Sequence, residues 1–265
     1  MDVDDTLITG DLVIPSPVIE AVARAKAAGV IVTLATGRMF ASIRPFAQQL
    51  ELTAPLIAYN GALVRDLSGR VFSHRFVPKA FVVELAEFAQ AEGVCLNLYV
   101  DDELFVAEDG EPVRYYAKIA GLEPHYVGDL VAFARNLPDD GGSTKVLLVA
   151  AAEDVPRYMD ILRPRFAGRI AMSRSKPRFI EMVAEGVSKG RALAALAEAH
   201  GIPLEQVMAI GDSYNDLEML TAAGIGVAMG NAPEAVKQAA DVVVATNEEA
   251  GVAEAIERFV LSRLG

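Results

Sequence analysis

Cysteine is almost absent from this chain, because Cys95 is the only one among its 265 residues. A single cysteine excludes an internal disulfide, so we expect a reducing, cytoplasmic setting. Long hydrophobic runs are missing too. The longest ones, such as 146–152, fall far short of the roughly 20 apolar residues that a membrane-spanning helix needs. No basic segment followed by an apolar one opens the chain, so we expect neither a signal peptide nor a membrane partner.

Positive charge and histidine are also scarce. The chain has 24 lysines and arginines against 36 acidic residues, which gives a formal net charge of −12. Because nucleic-acid binding needs a basic face, we expect no nucleic-acid partner. The three histidines are scattered along the sequence, which argues against a histidine-rich metal site. A phosphorylated ligand stays compatible with the acidic composition, because a bound metal and one or two local cations suffice to hold phosphate.

What the chain does contain is an alternation of helical spacing and short apolar runs. A helix is predicted over 16–29, and buried strands are predicted over 30–35 and 56–59. The alternation resumes at residue 188 and predicts an α/β fold, with a Rossmann-like parallel sheet covered by helices on both faces. Between these parts, several strands follow one another. We therefore predict a discontinuous core, residues 1–75 and 183–265, with an inserted α+β cap domain at 76–182.

Polar side chains follow the apolar runs where ligands collect in open α/β sheets, at the carboxyl ends of strands. The first group is Asp2, Asp4 and Thr6. In an extended backbone, residues two apart point the same way, so these three side chains would face one pocket. Facing carboxylates repel each other unless a cation or a proton intervenes. The alternative is a solvated acidic turn.

Two further groups suit an anion. Thr36, Gly37 and Arg38 follow the predicted strand 30–35, and a hydroxyl with backbone N–H groups at such a turn can bind phosphate. The alternative there is a plain helix cap. Lys189 follows Ser188, a predicted N-cap. The helix dipole opposes a cation in the first turn, so Lys189 needs an anionic partner unless it is a surface lysine.

The fourth group lies in the stretch from Gly211 to Asp216. Asp212 comes at the end of a predicted strand, and Asn215 and Asp216 open the next predicted helix. Oxygen ligands with no histidine or cysteine beside them favour Mg²⁺ over zinc. The alternative is a capped helix N-terminus without a metal.

Together these stretches resemble the four motifs of the haloacid dehalogenase superfamily, and the resemblance covers almost the whole chain. The long insert resembles the large cap of the Cof-type sugar-phosphatase branch. The matching residues are Asp2-x-Asp4-x-Thr6, Ala35-Thr36-Gly37-Arg38, Tyr59-Asn60-Gly61-Ala62, Ser188-Lys189-Gly190, Gly211-Asp212-x-x-Asn215-Asp216 and Ala228-Met229-Gly230-Asn231-Ala232.

The resemblance implies a Mg²⁺-dependent phosphatase that acts on small phosphorylated metabolites, sugar phosphates foremost, through an aspartyl-phosphate. It implies Asp2 as the nucleophile and Asp4 as the general acid and base, with Thr36 and Lys189 completing the catalytic set. The implied substrate-binding residues are Val3, Thr36, Gly37, Arg38, Asn60, Lys189 and Asn215. The implied metal-site residues are Asp2, Asp4 through its backbone carbonyl, Asp212 and Asp216, of which Asp216 would orient a metal-bound water or Lys189.

Two functions remain as alternatives: a phosphomutase of the same superfamily, and a non-catalytic phospho-ligand binding protein. We also expect a monomer or a weak homodimer. The chain departs from the family pattern in two places. Only Met1 precedes Asp2, where the family has an apolar strand, so we expect a weakened sheet and weak activity unless upstream residues are restored. Asp5 stands where a glycine is common.

Overall fold

The computed structural model describes residues 1–121, 123–174 and 176–263. The helices are α1 Ser16–Ala27, α2 Phe40–Gln49, α3 Lys79–Glu92, α4 Glu111–Ala120, α5 Leu130–Arg135, α6 Val155–Arg165, α7 Lys189–Ala199, α8 Leu217–Ala222, α9 Glu234–Ala239 and α10 Gly251–Phe259. None of the helices in these ranges combines the length and the apolar character that crossing a membrane requires.

The strands are short, and they include most of the apolar runs of the sequence. They are β1 Leu56–Ala58, β2 Leu63–Arg65, β3 Val71–His74, β4 Val77–Pro78, β5 Cys95–Val100, β6 Glu103–Val106, β7 His125–Tyr126, β8 Gly142–Ser143, β9 Val146–Val149, β10 Ile170–Ser173, β11 Phe179–Ala184, β12 Met208–Gly211, β13 Ile225–Ala228 and β14 Val242–Val243. The chain groups into two compact units, Met1–Phe72 with Ser188–Gly265, and Ser73–Val187.

The first unit contains a parallel sheet in the order β12–β13–β14, with Met208 opposite Ile225. The three residues that end β13 are fully buried, as expected for a strand covered on both faces. Helices α7 and α8 pack against each other, and α1 packs against α10. This unit is the α/β, Rossmann-like fold that the alternation predicts. Parallel pairing places the carboxyl ends of these strands at one edge of the sheet.

The predicted strand over 30–35 is wrong for most of its length. Residues 30–34 have no strand pairing, and Ala35 forms only an isolated parallel bridge with Ile57. On the other side, its backbone bonds to Met1: the Met1 amine donates to Thr33 O at 3.0 Å and Ala35 N donates to Met1 O at 2.8 Å. A regular ladder needs successive paired residues, and this segment meets one or two on each side.

Asp2 is held in place by its own backbone. Its N–H donates to the carbonyl of Ile210 in β12 at 2.9 Å, while Met1 O accepts from Ala35. Backbone hydrogen bonds therefore run without a break from Ile57 through Ala35 and Met1-Asp2 to β12. This continuity sets Asp2 beside the carboxyl end of β12.

The second unit is built on a six-stranded sheet in the order β10–β11–β9–β5–β6–β7, antiparallel except for the β6–β7 pair. One face contributes Leu96, Leu98, Leu148 and Ile180 to a large apolar cluster that includes residues of α3, α5 and α6. The sheet is thus stabilised mainly by burial of one apolar face. We propose that this unit is the inserted cap domain predicted over residues 76–182.

Local capping explains several helix ends. The Ser188 side chain accepts from Arg191 N at 3.1 Å, so Ser188 is the N-cap of α7 as predicted. Helix α1 begins at Ser16, as predicted, directly after Pro15, and it ends at Ala27, two residues before the predicted end. Helix α3 ends at Gly93, whose φ of 63° is favourable for glycine.

Candidate active site

Three buried aspartates form the centre of the site. One carboxylate oxygen from each of Asp2, Asp212 and Asp216 lies within 4.8 Å of the others, and all three side chains are nearly inaccessible to solvent. Asp212 comes directly after β12, and Asp216 belongs to a 3₁₀ turn over Tyr214–Asp216. Buried carboxylates this close repel one another strongly, so the cluster needs positive charge.

Lys189 supplies part of that charge. Its Nζ lies 2.9 Å from Asp2 Oδ1 and donates to Asp216 Oδ1 at 2.7 Å, and the ammonium is fully buried. Burial alone would lower the pKa of Lys189, but the carboxylates of Asp2 and Asp216 more than offset this and hold the pKa above its usual value. Lys189 is therefore not a surface lysine, and it has two anionic partners, Asp2 and Asp216.

The cluster has more negative than positive charge. When Asp2, Asp212 and Asp216 are all ionised, one ammonium leaves a formal charge of −2. Burial is the largest cause that raises the pKa of Asp2 well above its usual value, and the charges of Asp216 and Asp212 add to it despite Lys189. Burial likewise raises the pKa of Asp212 to about 7, against a lowering hydrogen bond from Thr6.

The donor set fits a divalent metal. It consists of oxygens only, which hard cations such as Mg²⁺ prefer. Asp2 Oδ1 is buried and has no hydrogen-bond partner among the described residues, although it is paired with the Lys189 charge. A metal is the kind of group that would use both this oxygen and the excess negative charge.

Asp216 binds Lys189, and it also fixes the loop that follows β12. Its Oδ2 accepts from Asp212 N at 3.1 Å and from Ser213 N at 2.9 Å, which completes a capping box. Gly211 is required for this approach, since a Cβ there would lie 2.6 Å from the Asp216 Cβ. With Oδ1 bonded to Lys189, both Asp216 oxygens already have partners. This geometry favours the Lys189-orienting role of Asp216 over a direct metal contact.

The extended backbone predicted for Asp2–Thr6 is wrong, because the chain turns after Asp2. Leu7 N donates to Val3 O at 3.0 Å, and Asp5 has a left-handed φ of 55°. This conformation is easiest for glycine, which agrees with the glycine common at that position in related proteins. Thr6 nevertheless reaches the site, where its hydroxyl donates to Asp212 Oδ1 at 2.7 Å.

Asp4 lies apart from the three buried aspartates and is paired with Arg38. Arg38 Nε donates to Asp4 Oδ2 at 2.8 Å and Arg38 Nη2 donates to Oδ1 at 2.6 Å, so the pair is bidentate. The Asp4 side chain is 45% exposed. A bidentate guanidinium fixes the plane of a carboxylate as well as pairing its charge. Sequence reasoning placed Arg38 on the substrate, and this contact with Asp4 was not foreseen.

The residues predicted to bind phosphate form a neighbouring group. Thr36 is buried, and its hydroxyl accepts from Arg38 N at 3.1 Å within the turn. It is not the helix cap of the alternative interpretation, because the N-cap of α2 is Met39. Asn215 Nδ2 donates to Asn60 Oδ1 at 3.0 Å. Val3 is fully buried, with its carbonyl accepting from Leu7 and Ile8.

Two asparagines that were not predicted as site residues anchor the Asp2–Leu12 loop. Asn231 Nδ2 donates to Asp5 O at 2.7 Å, and Asn247 Nδ2 donates to Ile8 O at 2.9 Å. Asn231 Oδ1 in turn accepts from Asn247 N at 3.1 Å. Asn231 lies in the Ala228–Ala232 stretch, which resembles the family pattern. Nothing in the sequence, however, indicates that its amide contacts the Asp2–Leu12 loop.

We expect the metal-free protein to lose stability as pH rises. The pKa of Asp212 is about 7 in the folded protein against 3.8 ordinarily, so the folded state binds the proton more tightly and raising the pH from about 4 to above 7 costs stability. Thermal unfolding at pH 4.5 and pH 6 checks this, because between pH 6 and pH 8 the Met1 amine, whose pKa is lowered by burial to about 6, changes stability in the opposite direction. With a chelator the melting temperature falls from pH 4.5 to pH 6, whereas with Mg²⁺ the fall is smaller, because the metal binds the ionised carboxylate. Equal pH dependence with and without Mg²⁺ would contradict the expectation.

Comparisons with known proteins assign the chain to a family. A family model described as haloacid dehalogenase-like hydrolase matches residues 1–256. A 5-amino-6-(5-phospho-D-ribitylamino)uracil phosphatase of Bacillus subtilis is 36% identical over 267 residues, which cover 98% of this chain and 96% of the relative. A pyridoxal phosphate phosphatase of Escherichia coli is 29% identical over 285 residues, which cover 100% and 97%.

The fold agrees with the sequence comparison. The crystal structure of a haloacid dehalogenase-like hydrolase from Bacteroides thetaiotaomicron superimposes with a TM-score of 0.88 at 35% identity, covering 97% of both chains. The similarity thus extends over both compact units. By its sequence and its fold, this chain belongs to the haloacid dehalogenase-like hydrolases, and among them to the Cof type.

Proposed function

We propose that this hydrolase is a Mg²⁺-dependent phosphatase that cleaves small phosphate monoesters, sugar phosphates foremost, through an aspartyl-phosphate on Asp2. The observation that carries the proposal is the charge of the site. Asp2 is buried beside Asp212, Asp216 and Lys189, and the formal charge of −2 matches one divalent cation. Phosphatase relatives over nearly the full length of the chain support the reaction class.

In this proposal Asp2, Asp212 and the Asp4 carbonyl hold the metal. When bound, Mg²⁺ neutralises the carboxylates and so allows a phosphate dianion to approach Asp2. Asp216 serves Lys189 and the loop, in keeping with its two occupied oxygens.

The chain's own residues carry the two chemical steps. The Asp2 carboxylate attacks phosphorus, an acyl–phosphate bond forms, and the bond to the leaving alkoxide breaks while protonated Asp4 gives it a proton. Asp4 then takes a proton from water, which attacks phosphorus and releases phosphate and free Asp2. The bidentate contact with Arg38 favours the ionised form of Asp4. In this proposal at least one of the two hydrogen bonds from Arg38 therefore opens before Asp4 carries the proton that it donates.

The phosphoryl oxygens need donors as charge moves onto them. We assign this role to Lys189, the Thr36 hydroxyl and the Gly37 N–H, with Asn215 and the Val3 N–H as further contacts. Each preorganised donor in such a site is worth on the order of 10²–10³ in rate. Residues 76–182 are proposed to be the cap domain, whose loops select the alcohol part of the substrate. A monomer or weak dimer in the cytoplasm completes the proposal.

Phosphate release tests the reaction. We expect turnover of several phosphate monoesters with Mg²⁺ and none with excess chelator. The panel should include sugar phosphates, pyridoxal phosphate and a ribityl phosphate, because the relatives are named for different esters. After a quench, borohydride reduction and peptide mapping should locate the modified residue at Asp2. Turnover without modification at Asp2 would overturn the intermediate, and an absence of phosphate release from every ester would overturn the phosphatase.

A further inference from the structure

The turn Tyr59-Asn60-Gly61 contacts three of the segments assigned above to the phosphoryl group: Thr36–Arg38, Asn215 and the start of α7. Three consecutive residues have left-handed backbones, with φ of 52°, 57° and 101°. Such a run is costly outside glycine, although asparagine tolerates it better than most residues. The turn is fully buried or nearly so. A strained turn of this kind persists only where its surroundings fix it.

Its backbone holds the Thr36–Arg38 segment. Asn60 N donates to Thr36 O at 2.8 Å, and Tyr59 N donates to Arg38 O at 2.9 Å. On the far side the turn packs against the start of α7, where a Cβ at Gly61 would lie 2.4 Å from Ser188 O. The turn is therefore wedged between the segment that carries Thr36 and the residue that precedes Lys189.

The Asn60 side chain completes the contacts. Its Oδ1 accepts from Asn215 Nδ2 at 3.0 Å. The same amide lies flat against Gly37, because a Cβ there would be 3.1 Å from Oδ1 and 3.4 Å from Nδ2. The amide oxygen thus faces Asn215 and Gly37, where it accepts a hydrogen bond, and the amide nitrogen also lies against Gly37.

We propose that Asn60 is a positioning residue: its left-handed backbone sets the Thr36-Gly37 turn and its amide oxygen orients the Asn215 amide, without Asn60 itself touching the phosphoryl group. This rests on the proposed phosphatase function and replaces the substrate contact that the sequence suggested for Asn60. Asn60 acts through Asn215, so its effect depends on Asn215 being present.

A double-mutant cycle tests this dependence. Asn60→Gly removes the amide and keeps the left-handed backbone accessible. We expect it to weaken binding of inorganic phosphate, measured by calorimetry with Mg²⁺, about fivefold to tenfold, as for loss of one hydrogen bond. In an Asn215→Ala background the same change should have an effect below about twofold, since coupled residues are non-additive. Equal losses in both backgrounds would overturn the proposal.

The melting temperature and kcat of Asn60→Gly, compared with its phosphate affinity, distinguish a positioning role from a merely structural one. A merely structural role would lower kcat and the melting temperature through loss of folded enzyme and leave the phosphate affinity of the folded fraction unchanged, and that result would overturn the proposal. If Asn60→Gly does not fold, Asn60→Ser takes its place in the cycle, because its hydroxyl is too short to reach Asn215. Phosphate affinity is measured without turnover, so an inactive wild type would contradict the phosphatase and leave the Asn60 test intact.

Discussion

Replacing Lys189 with methionine is expected to remove both activity and much of the stability. The buried ammonium lies between Asp2 and Asp216, and methionine has similar length but no charge. Leaving two buried carboxylates without their cation should cost about 3–5 kcal/mol of unfolding free energy. Loss of a preorganised positive charge should lower kcat by at least on the order of 10²–10³.

Denaturant unfolding and phosphate release measure the two effects of Lys189→Met. Lys237→Met, which changes a lysine of α9 outside the site, is the matched control and should alter neither quantity appreciably. A Lys189→Met protein as stable as the control would show that the ammonium does not compensate the carboxylates. Full turnover in that variant would remove Lys189 from the catalytic set.

Asp2→Asn is expected to abolish turnover and yet stabilise the metal-free protein. An amide cannot form the acyl phosphate, so we expect the rate to fall on the order of 10⁴ or more. The pKa of Asp2 is raised in the folded protein, so its ionisation costs stability as pH rises above the usual carboxylate range. Asparagine is neutral at every pH and avoids this cost.

Thermal unfolding with a chelator at pH 4.5 and pH 8 separates this effect from an ordinary mutation. The gain in melting temperature of Asp2→Asn over wild type should be largest at pH 8 and shrink as the pH falls toward the ordinary carboxyl pKa of 3.8, below which Asp2 is mostly protonated in both states. Asp11→Asn, an exposed aspartate in the same loop, is the control and should show no such trend. A destabilised Asp2→Asn protein at pH 8 would mean that the attraction of Lys189 outweighs the repulsion of the other carboxylates.

The opposite signs expected for these two variants follow from one charge imbalance, and part of it was readable in the sequence. A lysine in the first turn of a helix is opposed by the dipole, and that argument alone demanded an anionic partner for Lys189. The alternation of strands and helices likewise predicted the α/β core, since that pattern depends on local spacing. The sequence indicated the aspartates that pair with Lys189 only indirectly, through the position of acidic residues after predicted strands.

The rest depends on turns and distant contacts that local patterns do not encode. Asp4 pairs with Arg38, and the extended path predicted for Asp2–Thr6 is replaced by a turn that Leu7 N closes on Val3 O, with a left-handed residue at Asp5. Spacing by two residues carries information only while the backbone stays extended. The strand predicted over 30–35 failed for a related reason, because an apolar run becomes a strand only when successive partners lie alongside it.

The position of Lys189 also bears on how the protein folds. Lys189, in the first turn of α7, is paired with Asp216, which lies 27 residues further along, and with Asp2, near the start of the sequence. Contacts so distant form only after long loops have closed, which slows folding and places such contacts late on the pathway. Mutations at the start of α7 should therefore accelerate unfolding far more than they slow folding. The cap at Ser188 alone does little to speed formation of the helix.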